Sequence, residues 1–313
     1  MRGNVNYQVQ QLYETVKAIG QKKHQAKEDA RTAGAKTTAQ VAQQTGIHSY
    51  ATADAYRAVW RQIGEHAKTA YGVKDLERLN GQHVASFLQI KINQGVSRAT
   101  LDQYAAAAAK MENGLNRYAD RNKTGNSYRF DLKEVRALGA KELGNRNHEP
   151  RAYADRGKLV EKIEGKAALV AAIQAEGGAR FKEARQIKEG QLKGILLDKD
   201  VTGQLRGQIE VIGKGGKERT IQVSPATYAQ LKGAVAVGGG TFRLENYRSY
   251  CDSLKNAAEE TGQDYTGSHG LRWSWAQDRM EQCQQKMSYE EALGVVSREM
   301  GHERSDITEH YLR

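Results

Sequence analysis

Apolar residues recur at helical spacing along most of the chain. Val9, Leu12, Val16 and Ile19 predict a helix from about Tyr7 to Ala30, followed by a polar arm. Tyr56, Val59, Trp60 and Ile63 fall at i, i+3, i+4 and i+7, the stripe of a helix packed on a core. A further helix over about Asn80–Gln94 turns Val84, Phe87, Leu88 and Ile92 inward and stops at Gly95. Ser97 then caps a third, carrying Leu101, Tyr104, Ala105, Ala108, Met111, Leu115 and Tyr118. Residues 126–157 break the pattern with Gly, Asn, charge and Pro150, and are expected to form an interdomain linker.

Beyond the linker a helix is expected around Leu159–Gln174, ending at Gly177-Gly178. The period then changes. Gln191–Leu197, Gln208–Ile212 and Arg219–Val223 read as strands, the last two joined by Gly213-Lys214-Gly215-Gly216-Lys217, whose glycines permit the positive φ of a tight hairpin. Ser224-Pro225 opens another helix, Asn246–Thr261 is a further one, and the chain is helical again from His269. The expected fold class is mainly α with a small antiparallel β-sheet (α+β). Residues 1–45 are an arm or extra helix, 46–125 a helical domain, 126–157 the linker and 158–313 a second domain.

Composition narrows the class. A chain of 313 residues has volume for two domains. Mean hydropathy is −0.75, no run approaches the ~20 apolar residues of a membrane span, and the first residues lack the apolar stretch of a secretory signal. A cytoplasmic protein with no membrane partner is expected. Cys251 and Cys283 have no CxxC or nearby His pair, which excludes a disulfide framework and a structural zinc site, and they are expected to be free buried thiols. The formal net charge is +11, and residues 1–150 hold 23 basic against 14 acidic side chains. That concentration points to a polyanionic partner gripped by the helical first half, because Lys and Arg at phosphates release condensed counterions.

The final stretch carries the chemistry: His269-Gly-Leu-Arg272, then Gly301-His302, then Tyr311, with Thr308 three residues before the tyrosine. Upstream stand Gly178-Ala179-Arg180 with Glu183, and the hairpin lysine Lys214. Each element alone is commonplace, and the order and spacing of the set are not. The stretches GGARFKEA, VIGKGGKERTIQV, SHGLRWSWA and MGHERSDITEHYLR resemble those of the tyrosine recombinases, the phage-integrase family of site-specific DNA recombinases. The resemblance covers residues ~160–311 well, and the helical half agrees with that family's core-binding domain less specifically.

Chemistry explains these residue types. Cleaving a phosphodiester adds negative charge to the nonbridging oxygens, and two arginines, Arg180 and Arg272, can clamp that centre without a metal. Tyr311 supplies the nucleophile. With an ordinary pKa near ~10 it needs a proton acceptor, for which His269 and His302 are both candidates. The resemblance implies Lys214 as the general acid for the departing 5′-oxygen, with Lys217 its rival in the same turn, His302 as a ligand of a nonbridging oxygen and Glu183 as an orienting group. Trp273 and Trp275 are expected to be core and buttress. No cofactor is expected, neither metal nor ATP. GKGGKERT lacks the P-loop pattern, and His302-Glu303 does not continue to HExxH because position 306 is Asp.

The resemblance further implies a C-shaped clamp on double-stranded DNA, a core site with inverted repeats, a homotetramer, a 3′-phosphotyrosyl intermediate and a Holliday junction. It also implies accessory DNA-bending or directionality proteins, a nucleoid location in a bacterial host, and integration or excision of a mobile element. Two other readings stay open: a topoisomerase- or resolvase-like use of the same tyrosine, and a catalytically silent DNA-binding accessory protein. Only Leu312 and Arg313 follow Tyr311, whereas many relatives continue into a helix that docks on a neighbouring protomer, so the protomer contact is left open. The Arg272–His302 interval is long, and EQCQQKMSYEE reads as an insertion between helices.

Overall fold

A computed structural model describes residues 1–144, 150–198, 201–213, 218–302 and 304–313. The chain forms two compact units, Met1–Asn147 and His148–Arg313. Among the described residues no helix is long and apolar enough to cross a membrane.

The first unit is helical: α1 (Val5–Val16), α2 (Lys23–Thr32), α3 (Thr38–Gln44), α4 (Tyr50–Tyr71), α5 (Gly81–Asn93), α6 (Arg98–Asn122) and α7 (Lys133–Glu142). The predicted stripes meet in one core, with Leu12, Trp60, Ile63, Leu88, Met111 and Leu115 fully buried. The Trp60 indole donates to the carbonyl of Ala107 at 2.7 Å, so its polar atom is satisfied there. Ser97 caps α6 as expected, accepting from the Thr100 N–H at 3.2 Å.

Three local expectations are corrected. The helix drawn from Tyr7 to Ala30 is two helices, because after Val16 the chain leaves helical backbone and Lys17 pairs with Ile47 in a parallel bridge. The expected polar arm contains α3, whose C-terminal carbonyls are held from α6. Lys110 Nζ donates to the carbonyl of Thr45 at 2.7 Å and also to that of Ala42, while Arg117 reaches the Gln44 carbonyl at 3.0 Å. Much of the expected linker is packed structure: Tyr128, Phe130, Leu132, Val135 and Leu143 are buried in the first core, and α7 lies among them.

The second unit holds α8 (Arg156–Glu161), α9 (Gly165–Gly177), α10 (Phe181–Ala184), β1 (Gln186–Lys188), β2 (Leu192–Leu197), β3 (Leu205–Ile212), β4 (Glu218–Val223), α11 (Pro225–Val237), β5 (Thr241–Arg243), α12 (Tyr247–Glu260), α13 (Ser268–Gln284), α14 (Tyr289–Met300) and α15 (Ser305–Glu309). The predicted strands form an antiparallel sheet in the order β2-β3-β4, with Ile209 opposite Ile221. A second pair, β1 with β5, was not expected. The hairpin lysines Lys214 and Lys217 lie outside the described residues. Ile209, Val211, Ile221 and Val223 pack with Val170, Ile173, Leu231 and Leu271 in the main core. A second cluster joins Trp273, Trp275, Met280, Leu293, Val296, Met300 and Tyr311.

Both cysteines are free; Cys283 is buried as expected, whereas Cys251 is only half-buried. The apparent insertion EQCQQKMSYEE is absorbed by the end of α13 and the start of α14, which opens with a capping box between Ser288 and Glu291.

Candidate active site

The site gathers around the C-cap of α9. Gly178 ends that helix in the left-handed region, at φ 60°, and a Cβ there would stand 2.4 Å from the Trp275 ring. Only glycine fits both demands. The next turn opens α10 with Arg180 at its N-cap. Glu183 accepts from the Arg180 backbone N–H at 2.7 Å and from its Nη1 at 2.8 Å, leaving the guanidinium about one-third exposed. Glu183 itself is buried.

From α13, Arg272 reaches the same place and is fully buried. Its Nη1 donates to the Gly178 carbonyl and its Nη2 to the Met300 carbonyl at 2.6 Å, while Nε has no protein partner. Burial, then Arg180 and Arg219, lower its pKa from the ordinary value. Two backbone carbonyls thus aim a cation that nearby positive charge disfavours.

His269, one helical turn before Arg272, places Nε2 2.9 Å from the Tyr311 phenolic oxygen. Its pKa is lowered to about 4 by burial and then by Arg272 and Arg180, so the ring is neutral at neutral pH and offers an acceptor nitrogen. His302 follows the left-handed C-cap Gly301 of α14 and is likewise lowered to about 4, by burial and then by Arg272 and Arg180. Its Nε2 stands 3.3 Å from Arg272 Nη2 and its Nδ1 2.9 Å from Thr308 Oγ1. Guanidinium only donates, so Nε2 accepts and Nδ1 carries the proton it gives to Thr308. Thr308 is itself fully buried and accepts from Ser297 Oγ at 2.8 Å.

Tyr311 lies in a short 3-10 turn after α15. The buried Trp273 packs its ring 5.2 Å from the tyrosine ring, and Arg272 Cζ lies 5.8 Å from that ring's centroid. Trp275 packs on Gly178, so both tryptophans are buttresses as expected. A cleft lined by Arg180, Gly213, Glu218, Arg219, Arg298, Gly301 and His302 opens next to this cluster, His302 being the lining residue whose ring packs 5.4 Å from that of Tyr311. Gly213 immediately precedes Lys214 in the chain, although the lysine lies outside the described residues.

Sequence reasoning missed Arg219 and Arg298. Arg219 carried a readable signal: on β4 it shares a strand face with the buried Ile221 and Val223, and a charged residue at such a register needs a buried partner. Arg298 is exposed on α14, and nothing in its spacing distinguished it from a solvated helix residue.

No protein-family model matches the sequence, and a comparison with curated proteins finds no match. Solved structures do match. The pre-cleavage complex of XerH site-specific recombinase bound to difH substrate superposes with a TM-score of 0.64 at 18% identity, covering 98% of this chain and 92% of that one. The post-cleavage complex of XerH with palindromic difH gives 0.63 at 17%, over 98% and 91%. This chain has the tyrosine-recombinase fold. The tyrosine-recombinase fold accounts for the α+β class expected above, and the likeness spans both compact units.

Proposed function

We propose that the chain is a site-specific DNA recombinase that cuts and rejoins double-stranded DNA through Tyr311. The reading is carried by one observation: Arg180 at the start of α10, His269 and Arg272 from α13, His302 after α14 and Tyr311 after α15 converge in one cluster, with His269 2.9 Å from the tyrosine oxygen, Arg272 Nη2 3.3 Å from His302 Nε2, and Arg180 and His302 lining the adjoining cleft. That arrangement supplies a nucleophile, its base and a set of cations for a phosphate.

In the proposed step, Tyr311 Oη attacks the scissile phosphorus as its proton passes to His269 Nε2. The bond to the 5′-oxygen breaks, leaving a 3′-phosphotyrosyl link and a free 5′-hydroxyl. The departing oxygen takes its proton from the hairpin lysine, Lys214 by resemblance, with Lys217 the alternative in the same turn. Arg180 and Arg272 stabilise the added charge on the nonbridging oxygens. A phosphate beside His302 raises its proton affinity, and the doubly protonated ring then donates to Thr308 and to a nonbridging oxygen. Religation reverses the step with a different 5′-hydroxyl, so the phosphoryl bond is conserved.

The basic excess of the first half is assigned to the DNA backbone, and the relatives' pattern extends the proposal to paired inverted repeats, four protomers and a Holliday junction in moving a mobile element. The test is a supercoiled plasmid carrying two copies of the sequence that the protein selects from a random duplex pool. Recombinant circles are expected. Tight site binding with no strand exchange overturns the reading.

A further inference from the structure

Resting on the function proposed above, we infer that Arg219 is a positioning residue that keeps Arg180 available to the scissile phosphate by sharing the carboxylate of Glu183. Glu183 faces two cations. Its Oε1 accepts from Arg180 Nη1 at 2.8 Å, and its Oε2 accepts from Arg219 Nη2 at 2.7 Å. The Arg219 and Glu183 side chains are 8% and 3% exposed, so their pairing is sheltered from water, while Arg180 opens to the cleft at 31%.

Charge bookkeeping gives the consequence. An arginine paired with one carboxylate is a neutral unit and attracts a phosphate weakly. With Arg219 added, the Arg180–Glu183–Arg219 trio carries one net positive charge, and its exposed member is Arg180. Removing Arg219 leaves Glu183 buried with Arg180 as its remaining cation, and the unshared carboxylate then cancels the field of the guanidinium it already touches.

The setting of Arg219 is built for this. Its Nη1 donates to the Glu299 carbonyl in the last turn of α14, and its Nη2 also reaches the Gly178 carbonyl at 3.5 Å. Its side chain runs against Gly301, where a Cβ would come within 2.9 Å of Arg219 Cδ. The Gly-His pair of the sequence therefore makes room for an arginine from β4 as well as capping α14. Arg219 and Arg272 both converge on the Gly178 carbonyl, so the turn carrying Arg180 is fixed by two guanidiniums.

The test is a double-mutant cycle in the full-length protein, reading the single-turnover rate of covalent adduct formation on a nicked suicide duplex of the selected site. Arg219→Met lowers that rate about 100-fold, the size of losing one oriented cation from a phosphoryl or oxyanion site, while affinity for the duplex changes little. Adding Glu183→Gln removes the uncompensated carboxylate, restores one net positive charge and recovers at least about tenfold of the loss. A merely architectural arginine gives the opposite result: the double variant is as slow as Arg219→Met or slower, and that overturns the inference. Should Arg219→Met fail to fold, Arg219→Lys enters the same cycle; it keeps the charge and loses the fork, so it retains most of the rate if charge sharing is the role and none if the fork alone matters. Wild-type adduct formation is the separate check on the proposed function. A wild type without adduct rejects that function, whereas an active wild type with no suppression rejects only the role of Arg219.

Discussion

His269 Nε2 and the phenolic oxygen of Tyr311 stand 2.9 Å apart, a hydrogen bond between a neutral imidazole and the nucleophile proposed for this site. The base proposed for Tyr311 is thus already within hydrogen-bond reach of it. Burial and two arginines keep it unprotonated far below its ordinary range, with a pKa of about 4.

That shift predicts a titration. In the DNA-free protein the His269 imidazole should take up its proton near pH 4, read from long-range proton–nitrogen correlation spectra. A midpoint near the ordinary ~6.5 would contradict the buried, arginine-flanked setting. The stability consequence has a fixed sign. Between about pH 6.5 and 4 the unfolded chain binds protons at His269 and His302 that the folded chain excludes, so stability rises with pH across that window and is lost as pH falls through it. Replacing both histidines with Gln should flatten this part of the unfolding profile.

Thr308 supports the second histidine, accepting from His302 Nδ1 and Ser297 Oγ in a fully dry setting. Thr308→Val keeps the shape and strands both donors. It should cost about 1–3 kcal/mol in urea unfolding and slow adduct formation without weakening DNA binding. An unchanged cleavage rate would remove His302 orientation from the account.

Gly178 and Gly262 separate strain from crowding. Both adopt positive φ, but a Cβ at Gly178 collides with Trp275, whereas none of the neighbours at Gly262 lies within 4 Å. Gly262→Ala should cost about 1–2 kcal/mol, the left-handed penalty alone. Gly178→Ala should cost more than that, with the overpacking term of about 1–3 kcal/mol added, and should displace Arg180. Equal losses in unfolding would show that the Trp275 contact yields freely.

The extent to which the sequence was legible follows the range of the forces involved. Ser97 was readable because capping is decided within a turn, and His269 with Arg272 because i and i+3 share a helix face. The break after Val16 was not readable, since it depends on a bridge from Lys17 to the distant Ile47. The β1–β5 pair escaped for the same reason: three-residue strands carry almost no period, and their partner lies past the whole β2–β4 sheet. Arg219 sat in plain view within a motif read for its lysines, and its buried register became meaningful once Glu183 stood opposite. Local spacing thus picked out residues that the fold brings together, and long-range pairing brought Arg219 to Glu183.

The central claim, that Tyr311 is a nucleophile served by the surrounding basic cluster, is tested most directly by trapping. Wild type, Tyr311→Phe and Arg272→Ala are each incubated with a nicked suicide duplex of the selected site, and protein–DNA adducts are resolved on denaturing gels and mapped by peptide mass. The account predicts a wild-type adduct on the peptide containing Tyr311, none with Tyr311→Phe, and at least about 100-fold slower formation with Arg272→Ala while that variant still binds the duplex. An adduct that survives in Tyr311→Phe, or a wild type that binds its site and never forms one, would contradict it.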